Sequence, residues 1–152
     1  MRRFDLLISV NAPKEDVYNH IANPHNLMGL QPLLTSIELL PETKNENGEI
    51  VRASYSVETF RFLGIPIYNN RIKAVATLTR PPDELEYFVE SNPKIEIRFV
   101  YQLLQDNNST QISLRVTILK VSSLLENFVY NEAMKAQRAV LINLKKRLEN
   151  IQ

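Results

Sequence analysis

Residues 124–150, LLENFVYNEAMKAQRAVLINLKKRLEN, decide how the rest of the chain is organised. Apolar side chains recur there every third or fourth residue, at Leu125, Phe128, Val129, Ala133, Ala136, Val140, Leu144 and Leu148, with neither glycine nor proline to interrupt them. That spacing predicts one amphipathic helix from Leu124 to about Asn150, roughly 40 Å long at a rise of about 1.5 Å per residue. A stripe of that length needs an equally long apolar surface to cover it. Upstream of Leu124 the period is two rather than three or four, so the partner surface is a sheet and the fold class is α+β.

Working back from the helix, strands are expected at about Thr110 to Val121, Lys94 to Gln105, Glu84 to Ser91, Ile67 to Thr79, Ile50 to Phe60 and Ser36 to Leu40. A further strand opens the chain at Phe4, Leu6, Ile8 and Val10. The separators Pro81-Pro82-Asp83, Asn92-Pro93, Asp106-Asn107-Asn108 and Asn47-Gly48 are turn formers, and connections this short imply an antiparallel meander. Between the first two strands, Pro13 followed by Glu15 and Asp16 starts a short helix that runs to Ala22 and stops at Asn23-Pro24. His25 to Leu30 adds one more turn. Alternation assigns the dry face to Ala53, Tyr55 and Val57, to Ile72, Ala74, Ala76 and Leu78, to Leu85, Tyr87 and Val89, to Ile97, Phe99, Tyr101 and Leu103, and to Ile112, Leu114, Val116 and Ile118. The reading is a seven-stranded curved antiparallel sheet wrapped around the long C-terminal helix, as a single domain over residues 1–152.

Composition excludes several classes of function. The chain has 152 residues, 44% of them hydrophobic, and a formal net charge of +1. This suits one globular core and gives no basic field for nucleic acid. The absence of cysteine removes disulfides and thiolate chemistry and fits a reducing compartment. The apolar run Leu6 to Val10 is too short for a signal peptide, and no segment reaches the roughly 20 apolar residues of a membrane span. A cytoplasmic location is the expectation.

The stretch Ile8-Ser9-Val10-Asn11-Ala12-Pro13-Lys14-Glu15-Asp16-Val17-Tyr18, the break Asn23-Pro24-His25-Asn26-Leu27 and the strand entry Pro32-Leu33-Leu34-Thr35-Ser36-Ile37-Glu38, together with the terminal helix, resemble the START-like (SRPBCC) superfamily. The bacterial polyketide cyclase/dehydrase and lipid-transport-like branch is the most similar. The resemblance covers nearly the whole chain and implies a helix-grip fold around a ligand cavity. The chain lacks the glycine-rich loop of the birch-pollen-allergen branch and, without Trp or Cys, the aromatic and cysteine pattern of the coenzyme Q-binding relatives. The shared motifs are structural and specify a container rather than a reaction.

Within that container the candidate ligand-binding residues are Tyr55, Val57, Phe62, Leu63, Tyr87, Phe99, Tyr101, Leu125, Phe128 and Glu132. Three tyrosine hydroxyls on one parity would converge beneath the helix, where they orient a polar group or find partners in the core. Glu132 lies near the apolar side of the helix, so it is either a candidate acid for a polar ligand group or a marginal residue reaching solvent. Segment 60–67, FRFLGIPI, is apolar where loops are usually polar. Meander topology puts Phe62, Leu63 and Ile65 near Asn92-Pro93, Leu124, Leu125 and Phe128, as a lid, a transient membrane contact, a dimer contact or inward-folded core. His20 and His25 lack metal-ligand spacing, and no phosphate loop or nucleophile elbow occurs; no catalytic residue, metal or cofactor is assigned. Lys135, Arg138, Lys145, Lys146 and Arg147 read as a solvated helix face. The expected function is binding or transport of a hydrophobic small molecule by a monomer or homodimer. The competing readings are an aromatase/cyclase-like enzyme built on Glu132 and the tyrosines, and an interaction module docking through 60–67.

Overall fold

The computed structural model describes residues 1–63, 65–91 and 94–150, apart from the side chains of Phe60, Arg61, Phe62, Pro66, Ile67 and Tyr68. In chain order the elements are β1 (Arg2–Val10), α1 (Lys14–Ile21), a 3-10 turn (Pro24–Leu27), β2 (Leu34–Leu39), β3 (Thr43–Lys44), β4 (Ile50–Phe62), β5 (Ile65–Arg80), β6 (Glu84–Ser91), β7 (Ile95–Asp106), β8 (Ser109–Lys120) and α2 (Glu126–Glu149). The antiparallel sheet runs β1-β8-β7-β6-β5-β4-β2, with β3 pairing β4. It therefore has eight strands rather than seven, the extra one being the two-residue β3 beside the Asn47-Gly48 turn. Strands β1 and β2 lie at opposite edges, and the α1 segment crosses between them.

Apolar segment 60–67 is not a free loop. Phe62 pairs with Ile65, so only positions 63 and 64 separate the two longest strands, and Leu63 turns the chain with φ 51°. Gly64, Asn92 and Pro93 lie outside the described residues, and with them the expected contact between the 60–67 tip and the β6–β7 turn.

The inner face of β5 to β8 follows the alternation. Ile72, Ala74, Ala76, Leu78, Leu85, Tyr87, Ile97, Phe99, Tyr101, Leu103, Ile112, Leu114, Val116 and Ile118 are buried. Helix α2 covers them unevenly. Its buried residues Val140, Leu141 and Leu144 all lie in the C-terminal half, and a fully buried side chain of this kind stabilises by about 1.5–3 kcal/mol. Toward its start the helix is held at the β1 edge, where the Phe4 and Tyr130 rings meet edge to face at 5.5 Å. There the Arg2 guanidinium also lies 3.8 Å from the Tyr130 centroid.

One residue expected on the solvated side of α2 turns inward, and a second, Lys145, stays on the surface but is tied to β1. Arg147 donates to the carbonyls of Asn26 (2.6 Å) and Met28 (2.7 Å) and lies 3.2 Å from His20 Nε2. Lys145 donates to Ser9 O at 2.8 Å. Carbonyls left over by the 3-10 turn need donors, and the guanidinium fork supplies two at once. Gly29, at φ +83°, makes room, since a Cβ there would stand 2.8 Å from Arg147 Nη2. Charge periodicity alone reads such a cation as solvated because the carbonyls it serves are distant in sequence. Among the described residues no helix is long and apolar enough to cross a membrane.

Candidate functional site

A cavity of about 100 Å³ lies between the sheet and α2. Ile72, Ala74, Val89 and Phe99 form its sheet wall, Gln137 and Val140 its helix wall, and Leu27, Gln31, Leu34 and Ile37 close it from the 3-10 turn and β2. At about 30 Å³ per water this is room for roughly three waters, well below the roughly 300–1,000 Å³ of a drug-sized ligand site. A larger hollow of about 510 Å³ opens between α1 and the end of α2. Polar Asn11, Asp16, Asn19, His20 and Asn26 line most of it, beside Ala12, Pro13 and Leu148, so the more apolar gripped cavity is the better candidate for a hydrophobic ligand.

The β4 wall reverses the expected parity. Ser54, Ser56 and Glu58 face the cavity, with Ser54 and Ser56 buried. Tyr55 and Val57 pair with Lys73 and Arg71 on the outer face, where the Arg71 guanidinium lies 4.7 Å from the Tyr55 ring centroid. The cause is a β-bulge. Arg61 pairs with Pro66 but Phe60 pairs with Tyr68, so Ile67 is the extra residue on β5. Proline cannot donate to the ladder, which makes its neighbourhood a natural place for such an irregularity. Counted from the hairpin tip without the bulge, Tyr55 would oppose Ile72 and point inward. With it, Ser56 opposes Ile72 and Glu58 opposes Asn70.

Glu58 is thus the acid of the cavity. Burial pushes its carboxyl up to about 7, while the neighbouring Gln31 side chain draws it back down. Among the described residues no other cavity-lining residue carries a formal charge near neutrality. Directly across the ladder, the side-chain oxygen of Asn70 is buried without a hydrogen-bond partner. Alternation could not find Glu58, since it assigned that face of β4 to solvent. The signal that was present is Pro66, a proline inside a long strand.

The remaining candidates separate. Tyr87, Phe99 and Tyr101 line the cavity, and the two tyrosine rings meet edge to face at 6.2 Å. The Tyr87 hydroxyl is already engaged, donating to Ile21 O at 2.6 Å, while Arg52 donates to Ala22 O at 2.9 Å. Together they serve the last carbonyls of α1. Tyr101 is left as the one buried tyrosine of the expected three whose hydroxyl has no hydrogen bond among the described residues, and burial pushes its ionisation up. Leu125 and Glu132 are half-buried and Phe128 is 59% exposed; none of the three lines the cavity. Leu63 is 86% exposed at the hairpin tip, and the Phe62 side chain is outside the described residues. The mouth expected beside Leu125 and Phe128 is therefore not where the cavity lies. It sits deeper, toward Gln137 and Val140, where the helix is most firmly packed.

The sequence matches no protein-family model and no curated protein. Its structure is nonetheless similar to many solved ones. A STAR-related lipid transfer protein from Xanthomonas axonopodis superposes with a TM-score of 0.71 at 16% identity, covering 99% of this chain and 87% of the other. The Zhui aromatase/cyclase from Streptomyces sp. R1128 gives 0.70 at 16% identity, covering 96% and 94%. A START superfamily protein from Mycobacterium smegmatis gives 0.68 at 11% identity, covering 99% of both chains. Likeness over the full length, together with the sheet order and the terminal helix laid across it, gives this chain the START-like helix-grip fold.

Proposed function

We propose that this chain binds a hydrophobic small molecule between the inner face of the sheet and α2, as a binder or carrier. The observation that carries this reading is the unfilled space under the helix, apolar on the β5 to β7 side and polar along β4. Ligands that bind in such sites bury an apolar body and are oriented by a few polar groups. Similarity to proteins described as lipid transfer proteins and aromatase/cyclases supports a ligand-holding role for the same space. At about 100 Å³ the cavity takes a small group as it stands, and a larger ligand requires α2 to lift. The helix's first half contains no fully buried residue, which makes it the part that moves at least cost. Filling the wall with Ala74→Leu should abolish binding of a fluorescent apolar probe while the protein remains folded. Probe binding that is undiminished in the variant would overturn this reading.

A second reading is favoured by Glu58. A carboxyl whose protonation changes near neutrality, in a cavity, suits general acid–base work on a cyclising or dehydrating substrate. It takes the place of Glu132 in the aromatase/cyclase-like alternative. Glu58→Gln should then abolish turnover of a model polyketide while leaving its affinity within a few-fold. At the hairpin tip, exposed Leu63 and Ile65 support an accessory contact with a membrane or a second copy. Vesicle sedimentation and light scattering on Leu63→Asp test it.

A further inference from the structure

We propose that the inner rung of β4 and β5 recognises a primary ammonium group, so that the ligand is a small hydrophobic amine. This rests on the cavity reading above and adds the chemistry of the head group. Glu58 and Asn70 are directly opposed residues on neighbouring strands, and opposed residues share a face of the sheet with Cβ atoms about 4.5–5.5 Å apart. Both present acceptors. The Asn70 oxygen has no partner, and a buried acceptor left unpaired is destabilising. Among the described residues no lysine or arginine lines the cavity to balance Glu58. Gln31 does not supply another free acceptor, because its side-chain oxygen already takes the Leu33 N–H at 2.6 Å.

What the rung lacks is a positive donor with several hydrogens. A primary ammonium brings three N–H groups and the compensating charge, enough for Glu58, Asn70 and the Ser56 hydroxyl beside them. An alcohol brings one donor and no charge. A carboxylate brings no donor and repels Glu58. The apolar tail would lie on Ile72, Ala74 and Val89, and Phe99 and Tyr101 present aromatic faces that tolerate a cation. In the absence of ligand, a protonated Glu58 can donate to Asn70, so binding the amine releases that proton. Protonation of Glu58 near neutrality supports this exchange. Among the described residues the only other ionisable groups lining the cavity, the Tyr87 and Tyr101 phenols, stay neutral.

The test is a methyl-resonance NMR titration with isobutylamine, isobutanol and isobutyrate, which share a tail and differ in head group. At pH 8 the amine should bind at least tenfold more tightly than the alcohol. Because Glu58 must be ionised to pair with it, that preference should fall by roughly tenfold on going to pH 6. Glu58→Gln should bind amine and alcohol alike, and Asn70→Ala should weaken the amine several-fold more than the alcohol. An amine no tighter than the alcohol, a preference that survives in Glu58→Gln, or isobutyrate binding best would each overturn the inference while leaving the cavity reading intact. If none of the three binds and a fluorescent apolar probe also fails, the cavity reading falls and this inference falls with it. The pH dependence is read on the unaltered protein, so the test holds even if a variant folds poorly.

Discussion

Replacing Glu58 by glutamine should make the protein more stable in base and reverse part of its pH dependence. Burial raises the carboxyl from 4.5 to about 7, so the folded state holds this proton more tightly than the unfolded chain. The stabilisation is complete below about pH 4.5 and is lost as pH rises through 7. At about 1.4 kcal/mol per pKa unit, and with the unfolded carboxyl already mostly ionised at pH 5, wild type should lose about 2.5 kcal/mol relative to Glu58→Gln between pH 5 and pH 8.5. For a chain of this length that corresponds to roughly 5–10 °C in Tm. The assay is urea unfolding followed by far-ultraviolet circular dichroism, on both proteins at both pH values. Taking the difference between proteins cancels the other titrating groups. Glutamine is close in shape to the protonated acid, so the two proteins should be nearly equal below about pH 4, with wild type already about 0.8 kcal/mol the less stable at pH 5. A difference that does not change with pH by more than about 0.5 kcal/mol would refute both the inward placement of Glu58 and the desolvation argument.

Four further outcomes follow from the packing. Arg147→Met strands the Asn26 and Met28 carbonyls and should cost about 2–4 kcal/mol in chemical denaturation, while Gly29→Ala, strained at φ +83° and crowded by the same guanidinium, should cost about 1–2 kcal/mol. Tyr87→Phe leaves Ile21 O without its buried donor and should cost about 1–2 kcal/mol with little change in probe binding. His20 is held below its ordinary range first by burial and then by Arg147, so its contribution is present above about pH 6.5 and is lost as pH falls from there. Relative to His20→Gln, wild type should weaken between pH 7.5 and 5.5, measured as the shift in urea midpoint.

Most of the architecture was legible because burial on β5 to β8 is one-sided. Where every inward residue is apolar, alternation and pairing agree, and the inner faces from Ile72 to Ile118 were read correctly. The same holds for Val140 and Leu144, which are buried on the C-terminal half of α2. The rule failed on β4. There the wall of the cavity is polar, and Tyr55 and Val57 are sheltered on the outside by the long side chains of the adjacent strand. Alternation finds the more apolar face and equates it with the inside. At a polar cavity wall that equation has the wrong sign.

Sequence periodicity by itself determined the α+β class, the terminal helix, the near-complete meander and the dry face of four strands, because those depend on local spacing in a single chain segment. Only the tertiary structure decided which acid enters the cavity and where the cavity lies along the helix. Both depend on register, a relation between two strands. The β-bulge beside Pro66 moves that register by one residue, and with a side-chain period of two this turns Tyr55 out and brings Glu58 in. Arg147 follows the same logic at the far end of α2, since nothing in residues 124–150 shows that the carbonyls of Asn26 and Met28 will be waiting for it.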